Sequence, residues 1–423
     1  MTANCTPSAI SGKIRAISSK SDAHRLLICA ALSENETKIN CNVMSKDIAA
    51  TICCLKAMGT EISVDGDVIT VHPNHFNEKA DIDCGESGST LRFLMPVVSA
   101  LNIDTTITGH GRLPERPISP LKEEMEKKGV TFHTDNNFPL HLTGQLQSGE
   151  YEILGNISSQ FITGLLFALP ILNGDSRIKL IPPVESKSYL NITVSVLRKF
   201  GIEIEEQENL YIIKGNQKYI SPKEITVDGD WSNASFFLCA GALSENGVTV
   251  TDLDINSPQG DKKILNVLSS MGADVQINGT EITVKKNKLN GINVDASDIP
   301  DAVPIISVVA SACKGDTQII NAGRLRIKES DRIKSVVEML LSVGGGVEET
   351  ADGMIIHDGK ELTGGKVNGY NDHRIVMSAS ILSSLCKGNV EITDSNAVEK
   401  SYPDFFSDFN KMGGSVNVIN DRK

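Results

Sequence analysis

The 423-residue chain has no apolar run long enough to cross a membrane. Its longest nearly uninterrupted one, Phe161 to Leu172, falls well short of the roughly 20 residues that a spanning helix needs. The polar start has no signal-peptide pattern, so a cytoplasmic protein is expected. Also missing is any metal-like or disulfide-like use of cysteine. The nine cysteines are scattered without a CxxC or a Cys/His cluster at zinc spacing, and Cys53 and Cys54 stand side by side. Buried thiols are expected, and no metal site. Basic residues are scarce: 41 Lys and Arg face 53 Asp and Glu, giving a net charge of −12. That balance argues against nucleic acid or an anionic membrane as partner, because either calls for a broad basic surface. Cations that meet an anion must therefore be placed locally.

What is present is enough apolar material, 40% of residues, for a substantial core in a chain too long for one ordinary domain. Two domains are expected. One short pattern recurs along the chain, an apolar helix end, then glycine, then a strand-like run. It reads LKAMGTEI, MEKKGVTF, LRKFGIEI, LSSMGADV, LSVGGGV and FNKMGGSV, with glycines at Gly59, Gly129, Gly201, Gly272, Gly344 and Gly413. The separations are 70, 72, 71, 72 and 69 residues. Six unrelated helix ends would explain the glycines but not the period, so six units of about seventy residues are expected, each with a left-handed glycine closing a helix.

Between these glycines lie second helices that open on polar residues and turn apolar: SKSDAHRLLICAALS, SGSTLRFLMPVVSAL, SSQFITGLLFALPIL, WSNASFFLCAGALS, DIPDAVPIISVVASA and NDHRIVMSASILSSL. These should be the buried helices. Their Ser, Asp and Asn openings can cap free N–H groups, and the partial positive charge of a helix start attracts anions. With strands such as EITVKKN and EYEILG they imply an α/β layering.

Basic residues gather near those openings: Lys20, Arg25, Arg92, Arg116, Lys328, Arg332, Arg374 and Lys400, accompanied by Asp301, Glu329, Asp331 and Asp372. Singly, each Lys or Arg reads as a solvated surface charge. Their order and context say more. SSKSDAHR, SGSTLRFL, ERPI, SSQ before an apolar helix, SKSY, IPDA, IKESDR, NDHR and KSYPDFF follow one another in a set order. In that order the chain resembles the 5-enolpyruvylshikimate-3-phosphate synthase family of enolpyruvyl transferases over its whole length.

The resemblance implies an inverse α/β, barrel-like fold of two similar domains, each of three βαβαββ-type repeats. It places residues 1–19 with 229–423 in one domain and 20–228 in the other, with the active site in the interdomain cleft. It implies transfer of the carboxyvinyl group of phosphoenolpyruvate to shikimate 3-phosphate by addition and elimination, without metal or organic cofactor, in a monomeric enzyme of small molecules.

For shikimate 3-phosphate the resemblance points to Lys20, Ser21, Arg25, Ser158, Ser159, Gln160, Ser186, Tyr189, Asp301, Arg324 and Lys328. For phosphoenolpyruvate it points to Lys20, Gly88, Arg116, Gln160, Arg332, Arg374 and Lys400. An anion on three carbons suits several permanent cations, above all arginines with bidentate reach. Lys20, Asp301, Glu329 and His373 are the implied catalytic set, since the reaction moves a proton on and off carbon. Capping is the plainer reading of the serines, a helix pair with Arg332 that of Glu329, and orienting Arg374 that of His373.

The chain departs from the family pattern at Ile17, Ser18 and Ser19, where Pro-Gly-Ser is usual, at Glu86 and Arg324, where Asn is usual, and at Phe93. Two alternatives stay open. A sister family transfers the same group to a UDP-linked amino sugar, but resembles Lys-Asn where this chain has Lys20 and Ser21, and carries a loop cysteine absent from GHGRLPERPI. A non-catalytic anion-binding relative would be expected to lack Lys20, Asp301 or Glu329.

Overall fold

The structure, a computed structural model, describes residues 1–72, 75–134 and 138–420. The chain divides into two compact units, one of Met1–Ser19 with Asp228–Lys423 and the other of Lys20–Val227. Asp228 belongs to the first because its carbonyl accepts the Ser19 N–H at 2.8 Å, beside a bridge between Ser18 and Gly229.

Among the described residues the second unit holds α1 (Lys20–Leu32), α2 (Lys46–Ala57), α3 (Gly88–Ala100), α4 (Leu121–Glu126), α5 (Ser159–Ala168) and α6 (Lys187–Lys199). The first holds α7 (Trp231–Leu243), α8 (Ile264–Met271), α9 (Val303–Ala310), α10 (Arg332–Ser342), α11 (His373–Leu382) and α12 (Phe405–Lys411). Among the described residues each unit carries three four-stranded sheets, and in every sheet one pair is parallel and the other two are antiparallel.

The repeat is plainest where it is continuous. Strand Glu150–Leu154 leads through α5 to its parallel partner Ser176–Ile181, and α6 leads on to the hairpin Ile204–Gln207 and Leu210–Ile213. A parallel pair needs such a helical crossover. Three sheets take one strand from far along the chain. Thr2–Thr6 inserts between Val390–Ile392 and Ser415–Ile419, Gly12–Arg15 runs beside Val248–Thr251, and Glu224–Thr226 beside Thr37–Asn40.

The six periodic glycines all adopt positive φ, between +74° and +111°. Gly272 shows why the residue type matters. Its N–H donates to the Leu268 and Ser269 carbonyls, the chain turns directly into strand Asp274–Asn278, and an added Cβ would stand 2.3 Å from the Lys288 carbonyl oxygen. Only a residue without a Cβ closes the helix there.

The helices that follow the first strands are the buried ones, as their composition implies. Every residue of α9 and α11 is buried, and α3 is buried at every position but Ser89. Strand residues alternate, as in Ser176–Ile181, so one face meets the helices. Polar starts cap as expected in most cases: Ser87, Ser158, Asp230 and Asp372 accept backbone N–H groups of α3, α5, α7 and α11. The expectation fails for α9, which has no side-chain cap. A 3-10 turn, Pro300–Ala302, leads into it, and the prolines at 300 and 304 remove two donors that a cap would otherwise serve. Eight cysteines are buried and Cys53 is exposed; all nine are free thiols.

Helices α3 and α5 pack backbone against backbone at Gly164. Pro96 within α3 has no N–H to bond the Arg92 carbonyl, and Gly164 packs against both residues; an added Cβ would lie 2.3 Å from the Arg92 oxygen and 3.0 Å from Pro96 Cγ. In an open helix Gly→Ala gains roughly 1 kcal/mol. Here the overlap is with backbone and reverses the sign: Gly164→Ala is expected to lose about 1–3 kcal/mol in urea unfolding.

Candidate active site

In the Lys20–Val227 unit the expected residues fall at helix starts. Lys20 opens α1, and its Nζ donates to Asp47 Oδ2 at 2.7 Å in the first turn of α2. With only 15% and 13% of these side chains exposed, the pair holds the ammonium in one place. Arg25, five residues on, is buried and uses its fork inside the unit. Nε donates to Thr193 Oγ1 at 2.8 Å, Nη1 to the Ser21 carbonyl and Nη2 to the Tyr189 carbonyl at 3.1 Å. Its face stacks on the Phe93 ring, 5.0 Å from the centroid. Desolvation lowers its pKa to about 10. Arg25 thus ties the start of α1 to the start of α6, where Ser186 stands in the left-handed region at φ +51°. That conformation costs a non-glycine residue energy and turns the chain sharply into the helix.

A second group joins the openings of α3 and α5. Arg92 Nη1 donates to Gln160 Oε1 at 2.6 Å and Nη2 to the Pro117 carbonyl at 2.9 Å, while Gln160 Nε2 donates to Ser89 Oγ at 2.9 Å. Ser158 caps α5, with Ser159 its first residue. The Arg116 guanidinium lies on Gly88, where an added Cβ would stand 2.7 Å from Nη1. Arg116 also lines a small cavity of about 160 Å³ with Glu115, Pro117, Ile118 and Phe138. Glu86, the acidic departure, packs its carboxylate against Gly111 in the GHGRLPERPI loop.

The other unit holds a denser arrangement. Arg332, the first residue of α10, is only 1% exposed and meets three carboxylates. Its Nε donates to Asp372 Oδ2 at 2.8 Å, Nη1 to Asp301 Oδ1 at 2.7 Å and Nη2 to Glu329 Oε2 at 2.6 Å. Burial opposes its charge, but Asp372, Glu329 and Asp301 more than offset that and raise its pKa. Burial likewise favours a neutral Asp372, yet Arg332 holds its carboxyl below the usual range. Asp372 also caps α11 by accepting the Arg374 N–H, and it accepts the Ser330 hydroxyl at 2.9 Å.

Arg374 continues the chain of contacts. Nη1 donates to the Asp301 carbonyl at 3.1 Å, and Nη2 to Ser232 Oγ at 2.8 Å and Asp301 Oδ2 at 3.3 Å. Lys328 Nζ lies 3.5 Å from Asp301 Oδ1. Desolvation lowers the pKa of this half-buried lysine to about 8, with Asp301 opposing the shift. Lys400 Nζ donates to the Asn371 carbonyl at 2.6 Å, and His373 Nδ1 lies 3.9 Å from Asp372 Oδ1. Arg324 stands in a 3-10 turn, donates to the Ser297 carbonyl at 3.3 Å and lies near enough to Lys328 to oppose its charge.

So Asp301, Lys328, Glu329, Arg332 and Arg374 come together in one unit, and Lys20, Arg25, Gly88, Arg116 and Gln160 belong to the other. Three residues escaped the sequence reading: Asp47, Ser232 and Asp261. The last is a buried carboxyl that hydrogen-bonds Ser232 and lies near Arg374 and Asp301. Ser232 follows the capping Asp230, and Asp47 follows Ser45, the cap of α2, but neither position announces a partner.

The chain as a whole has counterparts among known proteins. The model of the EPSP synthase (3-phosphoshikimate 1-carboxyvinyltransferase) family matches residues 5–409. The chain belongs to that family. Its curated relatives include the 3-phosphoshikimate 1-carboxyvinyltransferases of Clostridium novyi strain NT, 43% identical over 97% of each chain, and Clostridium perfringens strain ATCC 13124, 42% identical over 97% of each. Among solved structures, an EPSP synthase from Acinetobacter baumannii aligns with a TM-score of 0.81 and 26% identity over 99% of this chain and all of that one. The enolpyruvyl transferase NikO from Streptomyces tendae shares the fold, with a TM-score of 0.81 at 17% identity over 98% of each chain. The inverse α/β architecture that the family resemblance implies is thus that of EPSP synthases. No helix among the described residues is long and apolar enough to cross a membrane.

Because Arg116 already occupies the space beside Gly88, Gly88→Ala must displace its guanidinium. The variant should fold with a cooperative melt near that of the unmodified protein; with Arg116 in the phosphoenolpyruvate role that the resemblance implies, it should raise the KM for that substrate on the order of tenfold.

Proposed function

We propose that this chain carries out the reaction for which its family is named. The carboxyvinyl group of phosphoenolpyruvate passes to the 5-hydroxyl of shikimate 3-phosphate, and phosphate leaves. The observation that carries this reading is the pairing of Asp301 and Glu329 on one buried guanidinium, within a chain that matches the family from residue 5 to 409.

Addition of the hydroxyl to C2 of the enol needs a group to receive the hydroxyl proton and an acid to protonate C3; elimination reverses the second transfer. Asp301 orients and deprotonates the attacking hydroxyl, and Glu329 serves the methyl carbon. Lys20 stabilises charge at the transferring group, and His373 completes the set. Arg332 cannot leave its three carboxylates without stranding Asp372, so it fixes the two working carboxylates in space as well as facing substrate.

Arg116, Arg332, Arg374, Lys400, Lys20, Gln160 and Gly88 serve phosphoenolpyruvate, whose carboxylate and phosphate suit fixed cations. Ser21, Arg25, Ser158, Ser159, Gln160, Ser186 and Tyr189, with Lys20, Asp301, Arg324 and Lys328, serve shikimate 3-phosphate. Arg25 does so in part by holding Ser21 and Tyr189, whose carbonyls it binds. No step calls for an electron sink, so no cofactor is included. The same reading has the chain act as a monomer in the cytoplasm; light scattering on the purified protein tests the first point.

The test is phosphate release from phosphoenolpyruvate with shikimate 3-phosphate, and separately with a UDP-linked N-acetylglucosamine. Release dependent on shikimate 3-phosphate is expected. Release only with the UDP sugar would move the chain to the sister activity, and a well-folded protein inert with both would be a non-catalytic relative. Lys20→Ala and Asp301→Ala should each lower turnover on the order of 10²-fold or more with the fold intact.

Lys328 makes substrate binding sensitive to pH. Its pKa of about 8 leaves the free enzyme losing this cation as pH rises through that value. The ratio kcat/KM for shikimate 3-phosphate, which reports free-enzyme groups, should fall above pH 8. Lys328→Arg, which stays charged, should remove that alkaline fall.

A further inference from the structure

We infer that Asp261 is a positioning residue for Arg374, acting through the Ser232 hydroxyl. The inference rests on the reading above in which Arg374 binds phosphoenolpyruvate. Asp261 stands in the 3-10 turn Gly260–Lys263, immediately before α8, and is 4% exposed. Ser232 lies in the first turn of α7 and has a single hydrogen to donate. Because Ser232 Oγ accepts from Arg374 Nη2 at 2.8 Å, that hydrogen is directed to its other partner, the Asp261 carboxyl. The result is a relay from Asp261 through Ser232 to Arg374, whose fork then reaches Asp301.

The charged neighbours decide what the relay does. On its own turn, Lys262 donates to the Ile255 and Ser257 carbonyls and Lys263 pairs with Asp298. α8 carries no charged side chain. From α7 comes Asp230, which caps that helix through the Asn233 N–H, and from the turn before α9 comes Asp301. From α11 comes Arg374, the cation that opposes these acids at Asp261. Burial first, and the nearby Asp301 and Asp230 carboxylates next, push the Asp261 carboxyl up to about 7. Below that pH Asp261 is neutral and Arg374 keeps its full attraction for an anion. Above it, a second negative charge in the relay competes with the substrate for the same guanidinium.

The test compares the unmodified enzyme with Asp261→Asn and Asp261→Ala by measuring KM for phosphoenolpyruvate and for shikimate 3-phosphate at pH 6 and pH 8.5. Asparagine keeps the acceptor and the shape without the charge. At pH 8.5 its KM for phosphoenolpyruvate should be lower than that of the unmodified enzyme by on the order of threefold to tenfold, with the two equal at pH 6. Alanine, which removes the acceptor as well as the charge, should raise that KM at pH 6, where Asp261 is neutral in the unmodified enzyme, and neither variant should move KM for shikimate 3-phosphate. The variants' thermal melts establish that they fold. An Asn variant with the unmodified pH dependence, or an Ala variant with unchanged KM at pH 6, overturns the inference. Arg374→Gln is the separate control. If it leaves KM for phosphoenolpyruvate unchanged, the assignment of Arg374 falls and this inference with it. If it raises KM while the Asp261 variants do nothing, only the relay is wrong.

Discussion

A buried arginine surrounded by three carboxylates organises the Asp228–Lys423 part of the molecule, because none of the four groups can be removed from water alone. Arg332 opens α10, Asp372 caps α11, Asp301 sits on the turn into α9, and Glu329 precedes α10 in the chain. Three helix starts are thus registered to one guanidinium. Desolvating such ions costs several kcal/mol each, and the cost is offset only when every partner is present with good geometry. The same requirement that makes the cluster expensive makes it specific: the carboxylates proposed to move protons have little freedom to sit elsewhere.

Much of the fold was legible because its determinants are local. A glycine that must adopt positive φ to end a helix leaves a mark in the sequence, and six such marks at intervals near seventy residues declare a repeat. Apolar helices with polar openings declare their burial. What local pattern could not show was strand exchange. Thr2–Thr6 completes a sheet with residues near the other end of the chain, and nothing in a five-residue strand names its partner. The start of α9 departs from its pattern for a physical reason: its aspartates resemble caps, but Pro300 and Pro304 make a cap redundant and leave Asp301 to Arg332.

The candidate site was legible to the extent that its chemistry is carried by permanent charges in recognisable strings. Arg332, Arg374, Lys328, Glu329 and Asp301 were all named from sequence and are in one network. The groups that hold them were harder to see. Asp47 bonds Lys20 from another helix, Ser232 joins Arg374 to Asp261, and Asp261 itself lies in an unremarkable QGDKK stretch. Such residues carry no signal of their own, since a helix-start aspartate is ordinarily a cap. Arg25 shows the converse: the resemblance points to it for shikimate 3-phosphate, and its fork is spent largely on Ser21, Tyr189 and Thr193, joining two helix starts.

The central claim is that Arg332 and its carboxylates form one mutually dependent unit. A double-mutant cycle on unfolding free energy with Arg332→Met and Asp372→Asn tests it most directly. Each single change should cost about 3–5 kcal/mol by leaving a buried charge without its partner, and the double variant should cost well below the sum of the two, with a coupling of at least 1 kcal/mol. Additive costs, or singles that unfold like the unmodified protein, would show that the cluster is a set of independent contacts and contradict the account.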